Sequence, residues 1–181
     1  SIYGFIGILA GARLGHCLFY EPSYYLSHPL EMILPITFPP EGGVEFIGYQ
    51  GLASHGGVLG LLIALYFYSR KTKHSMIDTL DLIAVVAGLS FGFIRLGNFM
   101  NSEIIGMPTT LPWAVIFERV DYIPRHPAQL YEAISYFIIF TILMLLYIKR
   151  RTRLKNGFLF GLGTVLFFTA RFVIEFVKEN Q

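Results

Sequence analysis

Charged residues and cysteine are both scarce in this chain. Only 14% of the 181 residues are charged, 54% are hydrophobic, and Cys17 is the single cysteine. So apolar a composition excludes an ordinary soluble domain and indicates a polytopic membrane protein. One cysteine excludes an internal disulfide, and we expect Cys17 to pack as a small buried hydrophobe. A net charge of +2 in so apolar a chain does not indicate a nucleic-acid partner.

Five hydrophobic stretches approach the length of about 20 residues that a helix needs to cross a bilayer. They lie at about residues 2–20, 52–69, 77–100, 128–148 and 157–177. The sequence therefore predicts an all-α fold, a polytopic transmembrane helix bundle that forms a single domain over residues 1–181. Glycines at four-residue spacing predict close helix contacts on four of these spans. They are Gly7, Gly11 and Gly15, Gly56 and Gly60, Gly88 and Gly92, and Gly157 and Gly161.

The basic residues predict the orientation of the spans. They gather after the second and the fourth span, and the positive-inside rule makes both of these loops cytoplasmic. The loops at about residues 21–50 and 101–127 then face outside, with irregular structure predicted in the first by Pro35, Pro39, Pro40, Gly42 and Gly43. Asp81, near the inner end of the third span, is predicted to be a structural or helix-capping residue.

Polar side chains collect at the outward ends of the five spans. Three of them are arginines, and a charge at the centre of a membrane helix costs about 3 kcal/mol on insertion scales. Two interpretations are open. Either the residues snorkel or pair to hold the bundle, as Arg13 would with Glu21 or Glu175, or they form a site. Because each of the three arginines would carry this cost, the arrangement favours a site over bundle packing alone. The shared layer comprises Arg13, Arg95, Arg171, His55, Asn98, Asn101, Glu103, Gln129, Glu132 and Glu175.

A phosphate group is the ligand that best fits several arginines at headgroup depth. Guanidinium groups bind phosphate oxygens in bidentate fashion and would stabilise the charge on a departing phosphate. A nearby histidine could deprotonate an incoming nucleophile. No metal or other cofactor is expected, because His55 and His126 have no partners at zinc-ligand spacing and no HExxH occurs. A transporter for anionic phospholipid, or a structural or lipid-binding subunit, remains as an alternative.

Five segments of the chain carry a resemblance to a known family. They are GARLGHCLFYEPSYYLSHPLEM at residues 11–32, SHGGVLG at 54–60, RLGNFMNSEIIG at 95–106, RHPAQLYEA at 125–133 and ARFVIEF at 170–176. In their order and spacing the chain resembles the prolipoprotein diacylglyceryl transferases of bacterial inner membranes, over nearly all of its length. The segments that begin at Arg95 and Arg125 are highly specific, whereas SHGG alone is a weak signal.

The resemblance implies an enzyme of lipoprotein maturation. It would move the diacylglyceryl group of phosphatidylglycerol onto the lipobox cysteine of a prolipoprotein signal peptide and release glycerol phosphate. It implies a multi-pass protein of the inner membrane, with its active site toward the extracytoplasmic side.

The resemblance also assigns roles to residues. Arg95 and Arg171 would contact the lipid phosphate, with Arg13, Asn98, Asn101 and Glu103 completing the lipid site. His55 is the leading base for the cysteine thiol and His126 the competing one, and the sequence does not choose between them. The supporting residues would be Gln129, Tyr131, Glu132 and Glu175.

Two departures from the family pattern qualify the resemblance. Members normally have one further transmembrane helix before the first span and another after the last, so we expect the sequence to be a fragment or a processed form. Phe167, one turn before Arg171, stands where some members are expected to have tyrosine. Phenylalanine keeps the ring and removes a hydroxyl hydrogen bond.

Overall fold

A computed structural model describes residues 2–34, 36–37, 43, 45–46, 48, 51–150 and 153–179. Seven helices account for most of the described chain: α1 (Ile2–Phe19), α2 (Pro22–Ser27), α3 (Pro29–Ile33), α4 (Ser54–Thr72), α5 (Met76–Met100), α6 (Ala128–Arg150) and α7 (Phe158–Glu175). The all-α prediction is confirmed. The chain divides into two compact units, residues 1–76 and 77–181. The prediction that residues 1–181 form one domain stays a prediction.

Four helices are long and apolar enough to cross a membrane, namely α1, α5, α6 and α7. The remaining predicted span forms a helix at the expected place, α4, but is not among the four found within the described residues. Its polar first residues, Ser54 and His55, and its last turn with Arg70 and Lys71 lower its hydropathy. These basic side chains also suit a helix end, because cations are favourable at the negative C-terminal pole of a helix.

In the first unit, α1 packs against α4 along their glycines. A Cβ atom added at Gly7 would lie 2.6 Å from the Ala64 Cβ, and one added at Gly15 would lie 2.8 Å from the Gly56 Cα, both closer than real Cβ atoms come. Backbones approach this closely only where side chains are absent. The predicted close contact along Gly7, Gly11, Gly15, Gly56 and Gly60 is therefore confirmed.

In the second unit, a buried cluster lies among α5, α6 and α7. It comprises Val85, Tyr136, Ile139, Leu143 and Leu159. Gly88 lets α5 approach α6, since a Cβ there would lie 2.8 Å from the Tyr136 carbonyl oxygen. The prediction fails at Gly161, where an added Cβ would meet no described atom within 4 Å. Gly163 faces Leu143 instead, because the packed stripe of α7 runs two residues further along.

Asp81 caps the beginning of α7. Its carboxylate oxygens accept hydrogen bonds from the main-chain N–H groups of Gly157 and Phe160, both at 2.7 Å. The first N–H groups of a helix have no partner within it, and a carboxylate there also suits the positive pole of the helix. The predicted capping role of Asp81 is confirmed, although the helix that it caps is α7 and not its own.

The segments between the long helices contain more regular structure than the sequence predicts. Pro22 and Pro29 begin short helices, as proline does well at a first helical position. Strands β1 (Ile36–Thr37) and β2 (Glu45–Phe46) pair antiparallel, as do β3 (Val115–Ile116) and β4 (Pro124–Arg125). Of the residues predicted to be irregular, Pro35, Pro39, Pro40 and Gly42 lie outside the described residues, and Gly43 has a positive φ of 107°.

Candidate active site

A buried ion pair joins α5 to α6 in the second unit. The Arg95 Nε atom lies 2.7 Å from Glu132 Oε2, and the Glu132 side chain is fully buried. Arg95 also donates from Nη1 to Asn98 Oδ1 at 3.3 Å, one turn later on α5. A carboxylate at this depth needs a cation, because an unpaired buried charge is far more costly than a paired one. Two residues predicted for the polar layer are thus held in direct contact.

The segment after α5 carries a second set of predicted residues. Glu103 accepts hydrogen bonds from the side-chain amides of Asn98, at 2.7 Å, and Asn101, at 3.5 Å. Gln129, on α6, donates to the main-chain carbonyl of Glu103. Arg95, Asn98, Asn101, Glu103, Gln129 and Glu132 therefore form one continuous polar cluster.

The backbone of this segment is strained. Ser102 and Ile104 both have positive φ angles, 60° and 56°. A β-branched residue is a genuine outlier there, and such strain costs about 1–3 kcal/mol and is concentrated at functional sites. It turns the chain so that the Glu103 carbonyl meets Gln129 while the Glu103 carboxylate meets Asn98.

Glu132 is shared between two cations. Its Oε1 atom lies 3.5 Å from Lys178 Nζ, which also lies 3.4 Å from Glu175 Oε2. Lys178 reaches this position because the chain after α7 pairs with the strained segment, where Met107 donates to the Val177 carbonyl and Glu179 donates to the Ile105 carbonyl. Sequence reasoning did not find Lys178. The only signal was its place one turn after Glu175.

Tyr136 links Arg171 to this cluster. The Tyr136 hydroxyl lies within electrostatic reach of Glu132, Arg95 and Arg171, and the residue is only 5% exposed. The Arg171 side chain is exposed and makes no hydrogen bond or ion pair within the described part of the chain. Phe167 packs edge-on against the rings of Tyr136 and Phe91. Tyr136 was missed because a tyrosine on an apolar helix resembles a packing residue.

His126 is held at its main chain and has a polar contact at one ring nitrogen. Its main-chain N–H donates to the Met107 carbonyl and its carbonyl accepts from Gly106 N–H. Its Nδ1 atom lies 3.2 Å from the Tyr131 hydroxyl, which accepts a hydrogen bond from Trp113 Nε1 at 2.8 Å. Tyr131, predicted as a supporting residue, makes this contact with His126, while Trp113 was not predicted.

Arg125, next to His126, belongs to a structural network. It makes a bidentate pair with Asp121, reaches Glu179 at 2.8 Å and donates to the Gly106 carbonyl. The hydrogen bond from Arg125 lowers the pKa of Asp121 below its ordinary value, and the Ile123 main-chain N–H acts in the same direction. This network fixes the segment that carries His126.

In the first unit, Arg13 is committed to the main chain. Its side chain is buried and donates to the carbonyls of Glu31 and, at 3.2 Å, Met32, near the end of α3. Its guanidinium carbon also lies 4.9 Å from the centre of the Tyr25 ring. These contacts favour the structural alternative for Arg13.

His55 lies in the first turn of α4 and is exposed. Its ring contacts Phe19, at 5.4 Å between centroids, and Tyr20, at 6.0 Å. An exposed imidazole without a polar partner in the described residues keeps both ring nitrogens available for proton transfer. The prediction that His55 and Arg13 share a layer with Arg95 and Arg171 joins the two units and stays a prediction.

No group of three metal-ligating side chains was found among the described residues. The absence of a metal or other cofactor stays a prediction. Cys17, the single cysteine, is buried and free, as its predicted packing role requires.

Four apolar helices and a buried arginine–carboxylate cluster define a multi-pass helical membrane protein. The whole chain, residues 1–181, matches the family described as prolipoprotein diacylglyceryl transferase. The chain belongs to that family.

Close relatives carry one name. Proteins from Bacteroides fragilis, 60% identical over 179 residues, and Chloroherpeton thalassium, 52% identical over 180, are both named phosphatidylglycerol–prolipoprotein diacylglyceryl transferase. A protein of the same name from Tolumonas auensis is 49% identical over 180 residues. Each match covers 99% of this chain and 63–65% of the relative, so the chain spans less than two thirds of their length.

Proposed function

We propose that this chain belongs to an enzyme that transfers the diacylglyceryl group of phosphatidylglycerol to the lipobox cysteine of a prolipoprotein. The observation that carries the proposal is the family match along the whole chain, together with close relatives named for this activity. The protein would lie in the inner membrane, with the reaction on its extracytoplasmic side, since the loop rich in polar site residues lacks the basic clusters of the cytoplasmic loops.

The reaction exchanges one bond for another. The cysteine thiolate attacks the glyceryl carbon that carries the phosphate, a carbon–sulfur bond forms, and the carbon–oxygen bond to phosphate breaks. Glycerol phosphate leaves with the electron pair, and the thiol proton passes to a base. Two tasks therefore fall to the protein, which must stabilise negative charge on the departing phosphate and take one proton.

Arg95 suits the first task. It is 16% exposed at the side chain, already paired with a carboxylate, and oriented by Asn98. A phosphate can take over part of its pairing, and Lys178 remains as a cation for Glu132 when it does so. Arg171, exposed and unpaired within the described residues, would be the second contact of the phosphate. Asn98, Asn101 and Glu103 would contact the lipid headgroup.

His55 suits the second task, because a thiol is a poor nucleophile until it loses its proton. An exposed histidine at the beginning of a helix, against Phe19 and Tyr20, can receive a proton without first breaking a hydrogen bond. His55→Ala should then abolish transfer and spare lipid binding, whereas a structural subunit would need the phosphate contacts and not the histidine.

Mass spectrometry of a lipobox peptide tests the proposal. The peptide is incubated in detergent with the protein and phosphatidylglycerol, beside an Arg95→Ala sample and the Bacteroides fragilis relative as positive control. We expect a diacylglyceryl mass increment on the cysteine, lost by at least about 100-fold in Arg95→Ala. If this chain produced no mass increment while the relative did, transfer by this chain would be contradicted. Retained lipid binding would then favour a lipid-binding subunit.

A further inference from the structure

The hydrogen bond between Trp113 and Tyr131 has a defined direction. An indole N–H can only donate, so Trp113 Nε1 must give its hydrogen to the Tyr131 oxygen, 2.8 Å away. The hydroxyl keeps one hydrogen of its own. The acceptor in contact with it is His126 Nδ1, at 3.2 Å. A chain in which Trp113 donates to Tyr131 and Tyr131 donates to His126 gives each of these three groups a partner.

A donor chain in this direction would fix which nitrogen of His126 carries the proton. A neutral imidazole has one N–H nitrogen and one acceptor nitrogen, and an Nδ1 atom that accepts from Tyr131 must be the bare one. The proton then lies on Nε2. The backbone of His126 is fixed by hydrogen bonds to Gly106 and Met107, so the ring moves only about its own side-chain bonds.

We propose that Trp113, acting through Tyr131, holds His126 in the tautomer protonated at Nε2, so that His126 donates a hydrogen bond and does not serve as the base. This inference rests on the proposed function. With Nδ1 occupied and Nε2 already protonated, His126 has no free lone pair for the cysteine proton. Its Nε2–H suits an oxygen that gains negative charge, such as a phosphate or ester oxygen of the lipid. Trp113 and Tyr131 are positioning residues in this arrangement.

Nitrogen NMR of the protein in detergent micelles, with ¹⁵N-labelled histidine, reads the tautomer directly. Spectra are recorded at about pH 9, above the ordinary histidine pKa of about 6.5, and His126→Gln identifies the signal. We expect a protonated Nε2 and a bare Nδ1. Tyr131→Phe and Trp113→Phe, which keep an aromatic side chain but remove the hydroxyl or the indole N–H, should change the tautomer ratio by about five-fold, the effect of one ordinary hydrogen bond.

Tyr122→Phe is the matched control, because Tyr122 lies in the same outer segment, is 81% exposed and makes no described hydrogen bond. It should leave the His126 signal unchanged. A protonated Nδ1 with a bare Nε2 would overturn the inference, as would a tautomer ratio that neither Tyr131→Phe nor Trp113→Phe alters. Trp113 is the only tryptophan, so loss of its single indole signal verifies the Trp113→Phe sample.

The transfer assay provides a second readout. His126→Gln keeps an N–H group near the position of Nε2, whereas His126→Ala removes it. We expect His126→Gln to be about ten-fold more active than His126→Ala, since loss of one donor to a developing oxyanion costs about 10²–10³-fold. A base cannot be replaced by an amide, so equal inactivity of both variants would contradict the donor role. Failure of the proposed function would appear as absent transfer in every sample, with the tautomer still as inferred.

Discussion

The helices within each of the two units are held together by different means. In residues 1–76, α1 and α4 approach backbone to backbone through Gly7, Gly11 and Gly15, and the buried arginine donates to main-chain carbonyls. In residues 77–181, charged side chains join the helices, and the half-buried Arg95 is paired with a carboxylate. Main-chain carbonyls are fixed parts of the fold, whereas a side-chain carboxylate can exchange its cation. We therefore interpret Arg13 as a structural arginine, whereas Arg95 is the one that we propose as a ligand contact.

Removal of the shared carboxylate should have the largest effect on the second unit. Glu132→Leu leaves Arg95 and Lys178 without their buried counter-ion, and breaking a buried pair costs about 3–5 kcal/mol. We expect faster hydrogen exchange in α5, α6 and α7. Glu175→Gln is the control, because Glu175 is exposed and its contact with Lys178 is on the surface. Equal effects of the two variants would show that Glu132 is not the centre of this network.

A methyl group at the glycine contact should be the next largest disruption, in the first unit. Gly11→Ala places a Cβ against the Gly56 carbonyl and 2.8 Å from the Gly60 Cα, and overpacking costs about 1–3 kcal/mol. Gly161→Ala is the matched control, since an added Cβ there has no described neighbour and alanine favours helix by about 1 kcal/mol. The temperature of thermal unfolding in detergent should be lower for Gly11→Ala than for the parent, and for Gly161→Ala it should be equal to or higher than that of the parent. The reverse order would contradict the packing of α1 on α4.

Loss of the α7 cap should have a smaller effect within the second unit. Asp81→Ala leaves the N–H groups of Gly157 and Phe160 without their acceptor and should cost about 1 kcal/mol. Asp81→Asn keeps one acceptor oxygen and should fall between Asp81→Ala and the parent in thermal stability. If Asp81→Asn and Asp81→Ala were both as stable as the parent, the cap would contribute nothing.

Acid should weaken the segment that carries His126 by the smallest amount. The pKa of Asp121 is lowered in the folded protein, so its stabilising effect is fully present above the ordinary aspartate pKa of about 3.9 and is lost as the pH falls through the folded value. NMR of this segment between about pH 6 and pH 2 should show the loss. Asp121→Asn should remove this pH dependence, and an unchanged profile in that variant would assign it to another group.

The fold could be predicted from composition and glycine spacing, because both reflect local constraints. Hydrophobic length located the five long helices α1, α4, α5, α6 and α7, and the glycine pattern located the α1–α4 contact. The apolarity of α4 was overestimated, since its ends carry His55, Arg70 and Lys71. Gly161 failed because four-residue spacing does not say which face of a helix meets a neighbour.

Partner choice in the site could not be read from the sequence. The sequence predicts that Arg13 and Arg95 lie in one polar layer. Arg13 nevertheless donates to main-chain carbonyls of α3, a short helix that begins at a proline, whereas Arg95 pairs with Glu132, 37 residues later in the chain. Lys178 and Trp113 reach the site through segments outside the long helices, where periodicity gives no information. Side-chain partners in such segments depend on backbone turns such as those at Ser102 and Ile104.

Binding of phosphatidylglycerol to three forms of the protein tests the central difference between the units. The parent, Arg95→Lys and Arg13→Lys are titrated in neutral detergent, with phosphatidylcholine as the lipid control. Arg95→Lys should weaken binding by at least about ten-fold, because lysine keeps the charge but lacks the bidentate fork, whereas Arg13→Lys should bind as the parent does. Equal weakening in both variants, or a larger loss in Arg13→Lys, would contradict the assignment of the lipid phosphate to Arg95.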